Sequence, residues 1–112
     1  MYSKVIVINS GTMGRGNDEL GRTLMGACLR KLWASDSKPD AIIFYNDGVK
    51  LLAKGSEVLD ALTALADLGV DLLACGTCVK YFDLDDQVLA GRVSNMEEIV
   101  GHVMAASSVI TI

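Results

Sequence analysis

A chain of 112 residues, 51% hydrophobic and 21% charged, has material for one hydrophobic core and not for two, so a single domain spanning residues 1–112 is expected. A net charge of −4 and the lack of any basic run argue against a nucleic-acid partner. No apolar stretch reaches the roughly 18 residues that span a bilayer, Met1 to Lys4 lead directly into a strand rather than a signal sequence, and three cysteines are an odd count for a disulfide framework; the expectation is a cytoplasmic protein with reduced thiols and no membrane association.

Lys4 to Asn9 carries Val5, Ile6, Val7 and Ile8, a continuous β-branched run that suits a central strand covered on both faces. The following segment, Ser10 to Asp18, holds Gly11, Gly14 and Gly16, where the backbone can turn tightly or approach a ligand closely. Asn17 or Asp18 can cap a helix that runs through Leu20, Leu24, Ala27 and Lys31 to Trp33, with Met25, Leu29 and Leu32 widening its apolar stripe. Cys28 lies inside that helix and reads as packing.

After the polar link Ser35 to Lys38, Pro39 admits a second strand, Ala41 to Tyr45, which Asn46-Asp47-Gly48 ends with turn chemistry in which Gly48 would supply a positive φ. Val49 to Ala53 can form one helical turn. Ser56 then caps a helix in which Val58, Leu59, Leu62, Leu65 and Ala66 recur at three-and-four spacing until Gly69. The run from Val70 to Ala74 reads as a short buried third strand that delivers Cys75 at its carboxyl edge.

Cys75-Gly76-Thr77-Cys78 is the stretch around which the chemistry is organised. In an open α/β sheet the carboxyl edge is where ligands and reactive groups collect. A helix beginning near Val79 would set Cys78 in a first turn, where free N–H groups favour a thiolate. The competing reading makes both cysteines soft core residues. Lys80 to Gln87 forms a short helix and turn, and Gly91 to Ser94 a weak fourth strand. Ser94 or Asn95 caps a last helix with Glu97 and Glu98 in its first turn and Met96, Ile99, Val100 and Val103 as its buried face. His102, off that stripe, is expected in solvent. Val109 to Ile112 closes the chain as a fifth strand.

Strands alternating with helices across short links predict an α/β fold: three layers, α/β/α, around a five-stranded parallel sheet of flavodoxin-like type. The loops after the first four strands then open on one edge. The residues expected to form a pocket there are Gly14, Gly16, Asn17, Asn46, Gly48, Gly76 and Asn95, with Cys75 and Cys78 as the reactive thiols. No G-x-G-x-x-G is present, since Glu19 stands where the third glycine would fall. A flavin-mononucleotide loop at Ser10 and Thr12 is disfavoured by Asp18 and Glu19. Cys75, Cys78, distant Cys28 and one histidine make a poor zinc set. No cofactor and no metal are therefore expected. A thioredoxin-type redox site and sulfur carriage as a persulfide both remain compatible with C-x-x-C.

Gly14 to Gly21 (GRGNDELG), Asn46 to Leu51 (NDGVKL), Cys75 to Cys78 (CGTC) and Val93 to Ile99 (VSNMEEI) resemble the DsrE/DsrF-like family, most closely the DsrE-like C-terminal domain of YedF-type proteins associated with sulfur and selenium metabolism. The resemblance covers essentially the whole chain. It implies a sulfur-carrier or sulfurtransferase domain: relatives of the DsrE and TusD type carry a persulfide on a cysteine whose position matches Cys75, and generally lack a cysteine at the place of Cys78. It further implies sulfur donor and acceptor proteins as partners, a TusA-like protein among them because YedF-type proteins usually carry such a domain, and a homo-oligomer. The alternative from another class is a non-catalytic module that senses redox state through its thiols or binds a flavin or metal.

Overall fold

The computed structural model describes residues 2–112. Five strands, β1 (Lys4–Ile8), β2 (Ala41–Phe44), β3 (Asp71–Cys75), β4 (Arg92–Ser94) and β5 (Ser108–Thr111), form one sheet in the order β4-β3-β2-β1-β5, every neighbouring pair parallel. Between them run α1 (Asp18–Ala34), a 3-10 helix (Asn46–Leu52), α2 (Leu59–Asp67), α3 (Gly76–Tyr81) and α4 (Met96–Ala105). The predicted α/β architecture, with helices on both sides of a five-stranded parallel sheet, is the one observed.

Successive side chains of the central strands enter different cores, which is why the runs read as continuous apolar sequence. Ile6, Ile8, Ile42, Phe44 and Leu72 meet Met25 and Leu29 of α1, Val49 and Leu52 of the 3-10 helix, and Leu62 and Leu65 of α2. On the other face Val5, Val7, Ala41, Ile43, Leu73 and Cys75 lie under Ile99 of α4. Burying each such side chain contributes about 1.5–3 kcal/mol before chain entropy is set against it. Because β4 and β5 are the two edges of the sheet, α4 must cross the second face alone.

Several local expectations are corrected by this packing. In α1 the buried residues are Gly21, Met25, Gly26 and Leu29, whereas Leu20, Leu24, Ala27 and Lys31 are exposed: the core contact is the stripe expected only to widen the face. In α4 Ile99 is buried and Val103 half-buried, but Met96 and Val100 are each 50% exposed, since one helix over a flat sheet face buries only a narrow stripe. His102 is not free in solvent; its ring packs 4.6 Å from that of Tyr2 and its Nε2 lies 3.2 Å from Glu98 Oε2. The helix after Cys75 begins three residues earlier than expected, at Gly76, and Leu84 N–H closes it by donating to the Val79 carbonyl at 2.8 Å.

Gly48 has no positive φ. That conformation belongs to Asn46, at φ 52°, and Gly48 is needed because a Cβ there would lie 2.2 Å from the carbonyl oxygen of Ile8. The absence of a side chain lets the 3-10 helix rest on the end of β1.

Candidate functional site

The carboxyl ends of β1, β2, β3 and β4 share one edge of the sheet, as parallel pairing requires. At the end of β3, Cys75 occupies the α4 side and is 1% exposed. A Cβ on Gly76 would come 2.7 Å from the carbonyl oxygen of Ser94, so only glycine allows β4 to pair this close to the motif. The chain then turns into α3, and Cys78, half-buried, touches both cores.

The loop after β2 reaches the same point. The backbone N–H of Asn46, a residue with a left-handed φ of 52°, donates to Cys78 Sγ at 3.1 Å. Burial pushes the Cys78 thiol above its ordinary pKa; the Asn46 N–H acts in the opposite direction, and the neighbouring Cys75 thiol adds to the rise. The expected consequence of the helix start is thus corrected: Cys78 does sit in the first turn of α3, but desolvation outweighs the donor and the thiol form is favoured. Cys28 is also pushed up by burial, in keeping with a packing role.

Beside the thiols lies a polar cleft of about 680 Å³. It opens beyond β1, β2 and β5, where the strand order reverses and where ligands of open α/β sheets bind. Gly14, Gly16 and Asn46 are among the residues that line it. Gly14 and Gly16 have φ of 84° and 124°, a backbone that other residues rarely adopt. Ser10, Thr12, Arg15, Tyr45 and Ile112 line it as well. Their common signal was position, since each follows or ends a strand at the carboxyl edge.

Asn17, Gly48, Gly76 and Asn95 do not line the cleft. Asn17 Oδ1 accepts the Leu20 N–H at 2.8 Å and caps α1, and Asn95 Oδ1 accepts the Glu98 N–H at 2.8 Å and caps α4. The two glycines serve the close approaches already described. Cys75 and Cys78 are not cleft-lining either, so Asn46 is the link: it borders the cleft and its N–H touches the Cys78 sulfur.

Behind the motif a charged network ties α4 to the sheet. Arg92 donates to Asp71 Oδ1 at 3.0 Å and Oδ2 at 2.8 Å, and to Glu98 Oε1 at 2.9 Å and Oε2 at 2.7 Å. Tyr2 Oη donates to Asp71 and Ser94 Oγ to Glu98. Both carboxylates are held below the usual carboxylate range, with Arg92 as the leading cause in each case.

The fold is an open parallel α/β sheet with two cysteines at the end of its third strand. The DsrE/DsrF-like family matches residues 3–112, and the chain belongs to that family. The family ties the chain to sulfur-relay domains. Among solved structures it is similar to the ychN protein of E. coli, with a TM-score of 0.75 and 18% identity over 100% of both chains. It is also similar to MTH1491 of Methanobacterium thermoautotrophicum, a protein of unknown function, with a TM-score of 0.66 and 25% identity over 96% of this chain and 99% of that one. A third, BT1422 of Bacteroides thetaiotaomicron, gives a TM-score of 0.67 at 15% identity over 98% and 95%. These likenesses establish the fold. Comparison with curated protein sequences finds no match.

Proposed function

We propose that the chain is a persulfide carrier in a sulfur or selenium relay, with Cys75 as carrier and Cys78 as the thiol that meets the donor. The observation that carries this reading is the stacking of roles at one point: a half-buried Cys78 touched by the Asn46 N–H, with an enclosed Cys75 at the strand end behind it. In the loading step the Cys78 thiolate attacks the outer sulfur of a donor persulfide. The donor's S–S bond breaks as the new one forms, and the donor leaves as a thiol. The Cys75 thiolate then takes the outer sulfur in the same way and returns Cys78 to the thiol. No net electrons are required.

Burial raises the Cys78 pKa, so at neutral pH the attacking thiolate is the minor form of the resting residue and alkylation is slow as well. A persulfide is more acidic than a thiol and is carried as an anion, to which the Asn46 N–H is a ready donor. The closer likeness to YedF-type domains rests on the GRGNDELG, NDGVKL, CGTC and VSNMEEI stretches, and a TusA-like partner and the cytoplasm belong to this same reading. No helix among the described residues is long and apolar enough to cross a membrane.

Incubation of the purified chain with a sulfane donor should add one sulfur to the peptide containing residues 75–78, read by mass spectrometry. Cys78→Ser should slow loading, and Cys75→Ser should leave a sulfur on residue 78 that is lost quickly to a small thiol. A native chain that never gains sulfur refutes the relay; a Cys75→Ser variant that holds its sulfur as long as the native chain moves the carrier role to Cys78.

A second copy of the chain is part of the proposal. Met96, Val100 and Met104 form an apolar stripe on the outer face of α4, 50%, 50% and 79% exposed. Val109 of the edge strand β5, which pairs on one side only, faces the same side of the sheet through its register with Val5. An apolar stripe beside an open strand edge is a surface that an identical surface can cover.

A further inference from the structure

On the opposite side of the sheet from α4, a second groove of about 600 Å³ lies between α1, the 3-10 helix and the segment that follows it, with Phe82 and Leu84 on the far wall. Its size is that of sites for small organic ligands. The floor is apolar: Met25 and Val58 are buried, and Leu51 and Leu84 are half-buried around them. Met25 can adapt its unbranched side chain to an irregular occupant.

The rim carries Arg22, Lys50 and Lys54 against one carboxylate, Glu57, in a chain whose net charge is −4. Lys50 is already engaged, 2.9 Å from Asp47 Oδ1 and 4.2 Å above the Phe82 ring. Among the described residues, neither Arg22 nor Lys54 meets a carboxylate within ion-pair distance, Glu57 included. The wall that presents Lys54 is held in place before any ligand arrives. Lys54 N–H donates to the Gln87 carbonyl at 2.8 Å, Ala53 bridges Val88, Gly55 turns the chain at φ 92°, and Ser56 Oγ accepts the Val58 N–H at 3.2 Å. Preorganisation of this kind lowers the entropy lost on binding.

We propose that this groove binds a small organic anion with an apolar body, its carboxylate or phosphate held by Arg22 and Lys54 and its body laid on Met25, Val58 and Leu84. Arginine supplies a planar fork for two oxygens and lysine a mobile point charge, a combination suited to either head group. The thiols contribute no side chain to the groove, so the site stands independently of sulfur carriage.

The test is a titration of the isotope-labelled full chain with decanoate, decyl phosphate and decanol, each below its micelle or solubility limit, followed through the backbone amides by NMR. Both anions should shift Arg22, Met25, the 54–58 wall and Leu84 saturably, and the tighter of the two assigns the head group. Decanol should bind about tenfold more weakly or worse, and the exposed double variant Arg22→Gln/Lys54→Gln should lose about tenfold for decanoate without change for decanol. Equal affinity for decanol, unchanged decanoate binding in the double variant, shifts centred on Met96, Val100 and Met104, or no saturable shift with any of the three would each overturn the assignment.

Discussion

The backbone N–H of Asn46 donates to the sulfur of Cys78 across 3.1 Å, joining the loop after β2 to the first turn of α3. Burial nevertheless holds that thiol above its ordinary pKa. Iodoacetamide should therefore label Cys78 slowly at neutral pH, with a rate that climbs only above the ordinary thiol range, and Cys75, at 1% exposure, should label more slowly still in the folded chain. Peptide mapping of a timed alkylation series gives the order. Labelling of Cys75 ahead of Cys78 would contradict the enclosed position of the former. The stability sign follows from the same shift. A thiol whose folded pKa is raised contributes stability that is full below its unfolded pKa and is lost as pH rises toward the folded one, so Cys78→Ala should flatten the alkaline limb of a urea-midpoint profile.

Gly48 rests on β1 at a distance no side chain tolerates, with the Ile8 carbonyl oxygen 2.2 Å from where a Cβ would stand. Gly48→Ala should cost about 1–3 kcal/mol in urea unfolding through forced backbone movement. Because Asn46 lies two residues away, the same variant should change the alkylation rate of Cys78. Gly11→Ala, where a Cβ meets open space, serves as the control and should leave both unchanged.

Acid should loosen α4 from the sheet. Glu98 and Asp71 are both held below the carboxylate range, Glu98 by Arg92, Ser94 and His102, and Asp71 by Arg92 and Tyr2. A carboxylate with a depressed folded pKa contributes stability above its unfolded pKa, about 4, and loses it as pH falls toward the folded value. The urea midpoint of the native chain should fall below that pH. Arg92→Met should show a shallower fall, and what remains includes Asp40, whose carboxyl is depressed chiefly by the backbone N–H groups of Lys4 and Ser3. An unchanged slope in Arg92→Met would mean that the exposed half of this network is screened by solvent.

Light scattering at tens of micromolar should report a dimer or larger assembly. Val100→Lys/Met104→Lys sets charge in the exposed apolar stripe of α4 and should release monomers with an unchanged circular dichroism spectrum. A native chain that runs as a monomer removes the proposed self-association.

Local chemistry in the sequence was sufficient for the elements and for the caps at Asn17 and Asn95, whereas the cap expected of Ser56 is not formed, because α2 begins only at Leu59, after Val58 and without a side-chain cap. Val5 to Ile8 and Ala41 to Phe44 declared themselves as doubly covered strands because both faces demand apolar residues. Asn17 and Asn95 declared helix starts because a short polar side chain satisfies a free N–H from within four residues. The thiol pair and the DsrE/DsrF-like resemblance were likewise visible in linear order.

What tertiary structure alone decided is everything that depends on partners distant in sequence. Strand order is one case, since a parallel strand's neighbour is chosen by crossovers and not by adjacent residues. The burial of Cys75 is another: it follows from register with Ser94 and from the single helix laid over that face. Gly48 looked like a turn glycine because sequence shows the residues beside it and not the Ile8 carbonyl beneath it. The outcome at Cys78 was hidden for the same reason, because the sign of a pKa shift is a contest between a donor from Asn46, 32 residues away, and desolvation by two cores that exist only once the chain has folded.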